Sequence, residues 1–299
     1  MEHQCSDDHH DRSYSYFLGT KQIEVNRSMN HYDHIHPSNY FGAGIFPQLL
    51  IFLPFVMLLI LYFYAVIFSS RRFKPWSFYR TVCFTLSIFF VAISITGPLA
   101  NRALVDFKAH MICHLFLGML APLLMVLAAQ MTLVLRTISI PNGRRLTRVL
   151  RSWPSRLYTH PVVASFLDIG GLWVLYTTQL YAFMHESMLL HLFIHFHVFV
   201  AGYLFTVSMI SFDPMPHQVS FLYRAIVLII ALAGHDILSK YIYANPPVGI
   251  PLEDAKVGGM IMYYGGDAID MVIIYILCLQ WFKAARPRSS AISNGKYVD

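Results

Sequence analysis

HMICHLFLGMLAPLLMVLAAQMTLVL, residues 110–135, decides how the rest of the chain is read. It contains no Asp, Glu, Lys or Arg, and its histidines, His110 and His114, stand at its beginning. A helix needs roughly 20 mostly apolar residues to cross a hydrocarbon core of about 30 Å, and residues 111–135 meet that need. Six further segments meet it too: 44–68, 82–100, 161–182, 188–210, 225–243 and 259–282. The sequence therefore predicts an all-α, polytopic membrane bundle of seven transmembrane helices over residues 44–283. A polar tail, residues 1–43, precedes it and a short basic tail, residues 284–299, follows. Residues 1–43 contain no apolar signal-peptide core, so the first span is expected to act as the targeting signal.

Composition agrees with this reading. Of 299 residues, 56% are hydrophobic, 15% aromatic and only 13% charged, where a soluble domain carries about 25% charged residues. That excludes an ordinary soluble domain, and so apolar a chain is not a disordered one either. The formal charge of +6 would suit a nucleic-acid surface, but the positions of the bases supply a plainer cause. Fifteen of the 22 Lys and Arg residues fall in alternate connections and the C-terminal tail, with Arg136, Arg144, Arg145, Arg148, Arg151 and Arg156 in the third connection alone. Basic loops are retained on the cytoplasmic side. The expected topology is an outside N-terminus and a cytoplasmic C-terminus, with lipid rather than nucleic acid as the contact. The third connection, from Thr137 onward, reads as an amphipathic segment along the inner leaflet, anchored by Trp153. Cysteines at 5, 83, 113 and 278 form no CxxC pair, so no disulfide framework is expected.

The unusual count is 15 histidines. Several are scattered through the N-terminal tail without defined spacing and read as solvated. Others sit in spans or at their ends, where ionisable groups are costly and point to function. His110 and His114 are separated by four residues and share a helix face; His191 and His195 repeat the spacing, with His197 turned to another face. His235 and Asp236 lie on the sixth span, and Asp267 and Asp270 on the seventh. All are expected in the outer third of the membrane, leaving Asp168 as the ionisable residue of the inner half. Two imidazoles one helical turn apart can converge on a metal ion, and a carboxylate can fix their tautomer. Cys113, Met111, Met119, Met184, Met188, Met260 and Met262 add soft sulfur, and imidazole with sulfur favours Cu(I) over hard cations. The plainer alternatives are that a membrane histidine is a hydrogen-bonded packing residue, that methionine fills gaps, and that Cys113 is a small buried hydrophobe.

Three runs, residues 110–122, residues 191–205 with AspProMetPro at 213–216, and residues 258–267, together resemble the CtaG-type assembly factors of bacterial cytochrome c oxidase. These are the polytopic proteins associated with caa-type oxidases. The resemblance extends from the second span to the seventh. It implies a protein needed to build an active oxidase by helping copper reach its metal centres, and it makes His110, His114, His191, His195, His197 and His235 the family's histidine positions. Where the family often has Glu, this chain has Asp267, one methylene shorter.

The expected function is thus a non-enzymatic oxidase assembly factor. It would hold copper at His110, His114, His191, His195, His197, His235 and Asp267, with Asp236, Cys113, Met111, Met260 and Met262 as supporting or soft ligands. Its expected partners are cytochrome c oxidase subunits and an extracytoplasmic copper chaperone. Two other readings use the same residues. Histidines from facing helices could clasp haem b, or His114, His191, His195 and Asp267 could hold a hydrolytic zinc with an open position for water.

Overall fold

A computed structural model describes residues 45–210, 212–213 and 219–286 of the chain. The expectations for the N-terminal tail, for Pro214–Pro216 and for the C-terminal tail beyond Arg286 lie outside the described residues.

The described residues are helical, and six helices are long and apolar enough to cross a membrane. They are Ile45–Arg72, Phe78–Ile95, Phe107–Leu127, Met188–Met209, Phe221–Ala244 and Leu252–Ala285. The expected fourth span is not one straight helix: it is two helices, Pro161–Thr177 and Leu180–Glu186, set at 80° to each other, and it makes a seventh candidate span when the bent pair is taken together. The cause is local. Thr177 Oγ1 and Thr178 Oγ1 each donate to the carbonyl four residues back, at 2.6 Å, a competition that bends and ends helices. Thr178 Oγ1 also accepts from the Leu180 amide at 3.2 Å, capping the second piece. The third span also ends earlier than expected. Ala129 adopts a left-handed conformation, φ 50°, which a residue with a Cβ rarely takes. The carboxylate of Asp213 holds the turn by accepting from the Met131 and Thr132 amides and the Thr132 hydroxyl at 3.2, 2.8 and 2.6 Å. The described part of the AspProMetPro run therefore caps the helix Gln130–Thr137.

The third connection is helical, as two short pieces, Ile140–Leu150 and Trp153–Tyr158, with no buried residue in either. Arg144, Arg145, Arg148, Arg151 and Arg156 on these pieces are all exposed, as an interfacial segment requires.

The Phe107–Leu127 helix is the centre of the bundle. Of its most apolar stretch 67% is buried, against 6% for the helix Ile51–Arg72 at the periphery. It packs against Phe78–Ile95, Met188–Met209 and Leu252–Ala285, while Leu252–Ala285 lies along Phe221–Ala244. Small residues bring these helices together, as is usual between membrane helices. At Gly202 an added Cβ would run into the Gly118 carbonyl oxygen. Asp106 starts the central helix by accepting from the Lys108 amide at 2.9 Å. Burial alone would raise its pKa, but the amide and the Arg102 guanidinium, 3.1 Å away, outweigh that and hold it below the usual carboxylate range. Lys108 pairs with Asp254 on the last helix at 3.0 Å.

Two segments depart from α-geometry. Leu115–Leu120 in the central helix and Phe166–Gly170 in the first piece of the bent pair are π-helical. Such wide turns are rare and concentrate at functional sites.

Candidate functional site

The first π-segment begins immediately after His114 and the second contains Asp168. Between and above them the spans enclose two cavities of about 20 Å³ each. That is room for a water molecule or a single ion, not for a macrocycle. His114 lies in the wall of both.

The first pocket is built from imidazole, phenol and one thioether. His110, His114, Tyr176, Met184 and His195 line it. His191 and His195 stack with ring centres 4.2 Å apart, the contact that their spacing along one helix leads one to expect. His110 stands 6.5 Å from His195 and 6.4 Å from His185, and His185 is 6.3 Å from His191. Four imidazoles from three helices thus form one group. Their hydrogen bonds settle two tautomers. The Nδ1 of His195 is 2.9 Å from the His191 carbonyl and that of His185 is 2.9 Å from the Tyr181 carbonyl. A carbonyl only accepts, so in each neutral ring Nδ1 carries the proton and Nε2 carries the lone pair. A backbone carbonyl on the far nitrogen is the usual support of a metal-ligating histidine. The Nε2 of His110 bonds the Tyr176 hydroxyl at 3.0 Å, and Tyr181 meets the same ring edge-on at 5.1 Å.

The second pocket is reached through His114. Its polar lining is His114, Asp168, Thr206, His235 and Asp270, and Met119 contributes a sulfur-bearing wall. The His114 and His235 rings lie nearly parallel, 6.4 Å apart. His114, His235 and Asp270 are all more than nine-tenths buried. His114 Nε2, both ring nitrogens of His235 and Asp270 Oδ1 have no hydrogen-bond partner among the protein atoms. Leaving one such group unsatisfied costs about 1–3 kcal/mol, so four around one cavity are a concentrated cost. Gly266 makes room for His235: an added Cβ would sit 2.6 Å from the ring.

The remaining expected residues divide as follows. His197 packs against Gly171, away from the other histidines. Asp267 and Asp236 are half-buried and line neither cavity; the Asp236 carboxylate is 4.0 Å from His235 Nδ1. Asp270, one turn beyond Asp267, is the carboxylate turned inward. Asp168 joins His235 and Asp270 instead of standing apart in another half of the membrane. Cys113 is buried among Ala103, Ala109 and Leu99, and Met111 and Met262 pack in an apolar cluster with Phe107 and Met184. Met260 is exposed. The zinc reading does not assemble, because Asp267 is absent from the pocket that His114 and His195 share. His185, Tyr176, Asp168 and Asp270 were not among the expected ligands. His185 lies just past the helix break, and 66 residues separate Tyr176 from His110, so no local spacing announces either.

The donor chemistry suits a metal ion, and the support of His185 and His195 suits ligation. Apart from the stacked pair His191 and His195, the rings are spread more widely than a bound ion would hold them: two imidazoles on one tetrahedral ion place their centres about 5 Å apart. Among the described residues no three His, Cys, Asp or Glu side chains stand ready around a common point.

A family model described as cytochrome c oxidase caa3 assembly factor (Caa3_CtaG) matches residues 60–284. Among curated proteins, one from Mycobacterium leprae (strain TN), printed as uncharacterized, is 26% identical over 216 residues, covering 64% of this chain and 32% of its own length. Similarly described proteins of Mycobacterium bovis (strain ATCC BAA-935 / AF2122/97) and Mycobacterium tuberculosis (strain CDC 1551 / Oshkosh) are 28% identical over 214 residues, with the same coverage. The chain spans about a third of the length of these relatives. No solved structure matches. With the match running from the first helix to the end of the last, and both pockets inside it, the chain belongs to the cytochrome c oxidase caa3 assembly factor family.

Proposed function

We propose that this protein assists the assembly of a caa3-type cytochrome c oxidase by holding Cu(I) transiently at its first pocket and passing it to an oxidase subunit. The observation that carries the reading is the convergence of His110, His185, His191 and His195 from three helices, beside Met184. Neutral imidazole with thioether is a donor set that favours Cu(I). Spread rings suit a cargo that must be released, since a closed tetrahedral cage would retain it. The protein on this reading is a holder and not an enzyme. The excess of Lys and Arg in alternate connections supports an outside N-terminus. That topology puts the pocket near the extracytoplasmic face of a bacterial plasma membrane, within reach of a copper chaperone and the oxidase.

The test is Cu(I) binding by the purified full chain in detergent, measured by competition with a chromophoric chelator. The expected result is stoichiometric binding that is lost in His195→Ala and His110→Ala and kept in His197→Ala. Wild-type protein that cannot be loaded, or binding indifferent to His110 and His195, would overturn it.

A further inference from the structure

We propose that the second pocket is a separate site for a borderline divalent cation of the Zn(II) or Cu(II) class, with His235, Asp270, Asp168 and His114 as its donors. Three observations meet there. The polar atoms that have no partner come from three different helices and surround the same cavity. Two carboxylates, Asp168 and Asp270, stand in its lining with no Lys or Arg among the residues that form it. A buried carboxylate is either protonated or matched by a counter-charge, and a divalent ion balances two. Both π-helical segments among the described residues, Leu115–Leu120 and Phe166–Gly170, contribute residues to this one cavity: Gly118 and Met119 from the first, Asp168 and Ile169 from the second.

The charge of the donors sets this pocket apart from its neighbour. Two nitrogens and two carboxylate oxygens suit a borderline divalent ion, whereas the neutral imidazole and thioether groups next door suit a monovalent soft one. The His114 and His235 rings, 6.4 Å apart, must approach to share an ion, so the walls close as it enters. His114 links the two sites, because it lines both cavities. The deep site rests on the copper-holding reading only through that shared residue.

The experiment loads the purified full chain with Co(II), which reports its ligand field in the visible spectrum, and titrates it against Zn(II). The variant His110→Ala/His195→Ala, with the first pocket disabled, is expected to bind one Co(II) with a tetrahedral spectrum displaced by Zn(II). Asp270→Asn and His235→Ala are each expected to weaken uptake by at least about tenfold, and Asp270→Glu to restore most of it. Circular dichroism and gel filtration confirm folding; should Asp270→Asn not fold, Asp168→Asn and His235→Ala carry the same comparison. The proposal is overturned if the first-pocket variant takes up no Co(II), or if uptake ignores His235 and both carboxylates. Cu(I) titration of Asp270→Asn separates the two readings: retained Cu(I) binding beside lost Co(II) uptake is expected, and loss of both would overturn a separate deep site.

Discussion

The two pockets that meet at His114 are equal in size and opposite in electrostatic character. One is walled by three histidines, Tyr176, Met184 and aliphatic side chains, groups that are neutral without a partner charge, and His110 and His195 have hydrogen-bond partners there. The other joins two histidines to two carboxylates and leaves four buried polar atoms unpaired. A cluster of neutral donors is stable whether or not an ion is present. A cluster that includes buried carboxylates is costly until a proton or a cation neutralises them. One wall residue separates these behaviours, so local composition and not depth alone decides what each part of the bundle is prepared to hold.

Substitutions can break this contrast or sharpen it. The largest effect is expected at Gly202, where any side chain enters the space of the Gly118 carbonyl. Gly202→Leu should destabilise the bundle by about 3 kcal/mol, the upper range of overpacking costs, and abolish metal uptake at both pockets. Thermal unfolding in detergent with metal titration checks this; an intact first pocket would show that the two do not share that wall. Gly266→Ala should cost less, about 1–2 kcal/mol, because it pushes only on the His235 ring. Co(II) uptake should fall while Cu(I) binding stays unchanged, and equal losses of both would erase the distinction between the pockets.

Tyr176→Phe removes the 3.0 Å hydrogen bond to His110, at a cost of about 1 kcal/mol. The freed nitrogen should tighten Cu(I) by about fivefold, the equivalent of that energy, with Co(II) uptake unaltered. Chelator competition on the purified variant decides it; weaker Cu(I) binding would mean that the phenol positions His110 instead of competing for it. The smallest effect concerns Asp106, at the start of the central helix. Its lowered pKa means that its contribution to stability is complete above the unfolded value of about 3.9 and is lost as pH falls through the lower folded value. Unfolding temperatures measured between pH 3 and 6 should show this loss in the wild type and not in Asp106→Asn, which keeps the cap but not the charge.

The spans were legible because hydropathy sums over some 20 residues, so that one threonine or glycine cannot hide a helix. The break at Thr178 was not, since it depends on two hydroxyls turning back onto their own helix, a choice that the flanking apolar residues do not signal. The His191 and His195 pair was legible for the same reason as a helix, as a short-range repeat. His110 and His114 carry the same repeat yet part company, one toward Tyr176 and His195, the other toward His235. Which partner each meets is set by other helices. Asp267 and Asp270 differ by about 60° around one helix, too little for spacing to tell which faces inward. The family motifs marked Asp213 by resemblance, but its work of holding a left-handed alanine needs 81 residues of chain to close first.

The wide turn at Leu115–Leu120 has a further consequence, in the arithmetic of chain length. A π-turn accommodates one residue more than an α-turn, so deleting any single residue there would let the central helix run on as regular α-helix. Because the wide turn winds its extra residue into the same turn, the helix faces before and after it would keep nearly the same relative direction. His110 and His114 would point as they do now, and Leu123 and Val126 would keep their places in the core. A one-residue deletion there would therefore remove the widening beside the pockets and leave every donor on its face, so any change in metal uptake would report what the wide turn itself contributes.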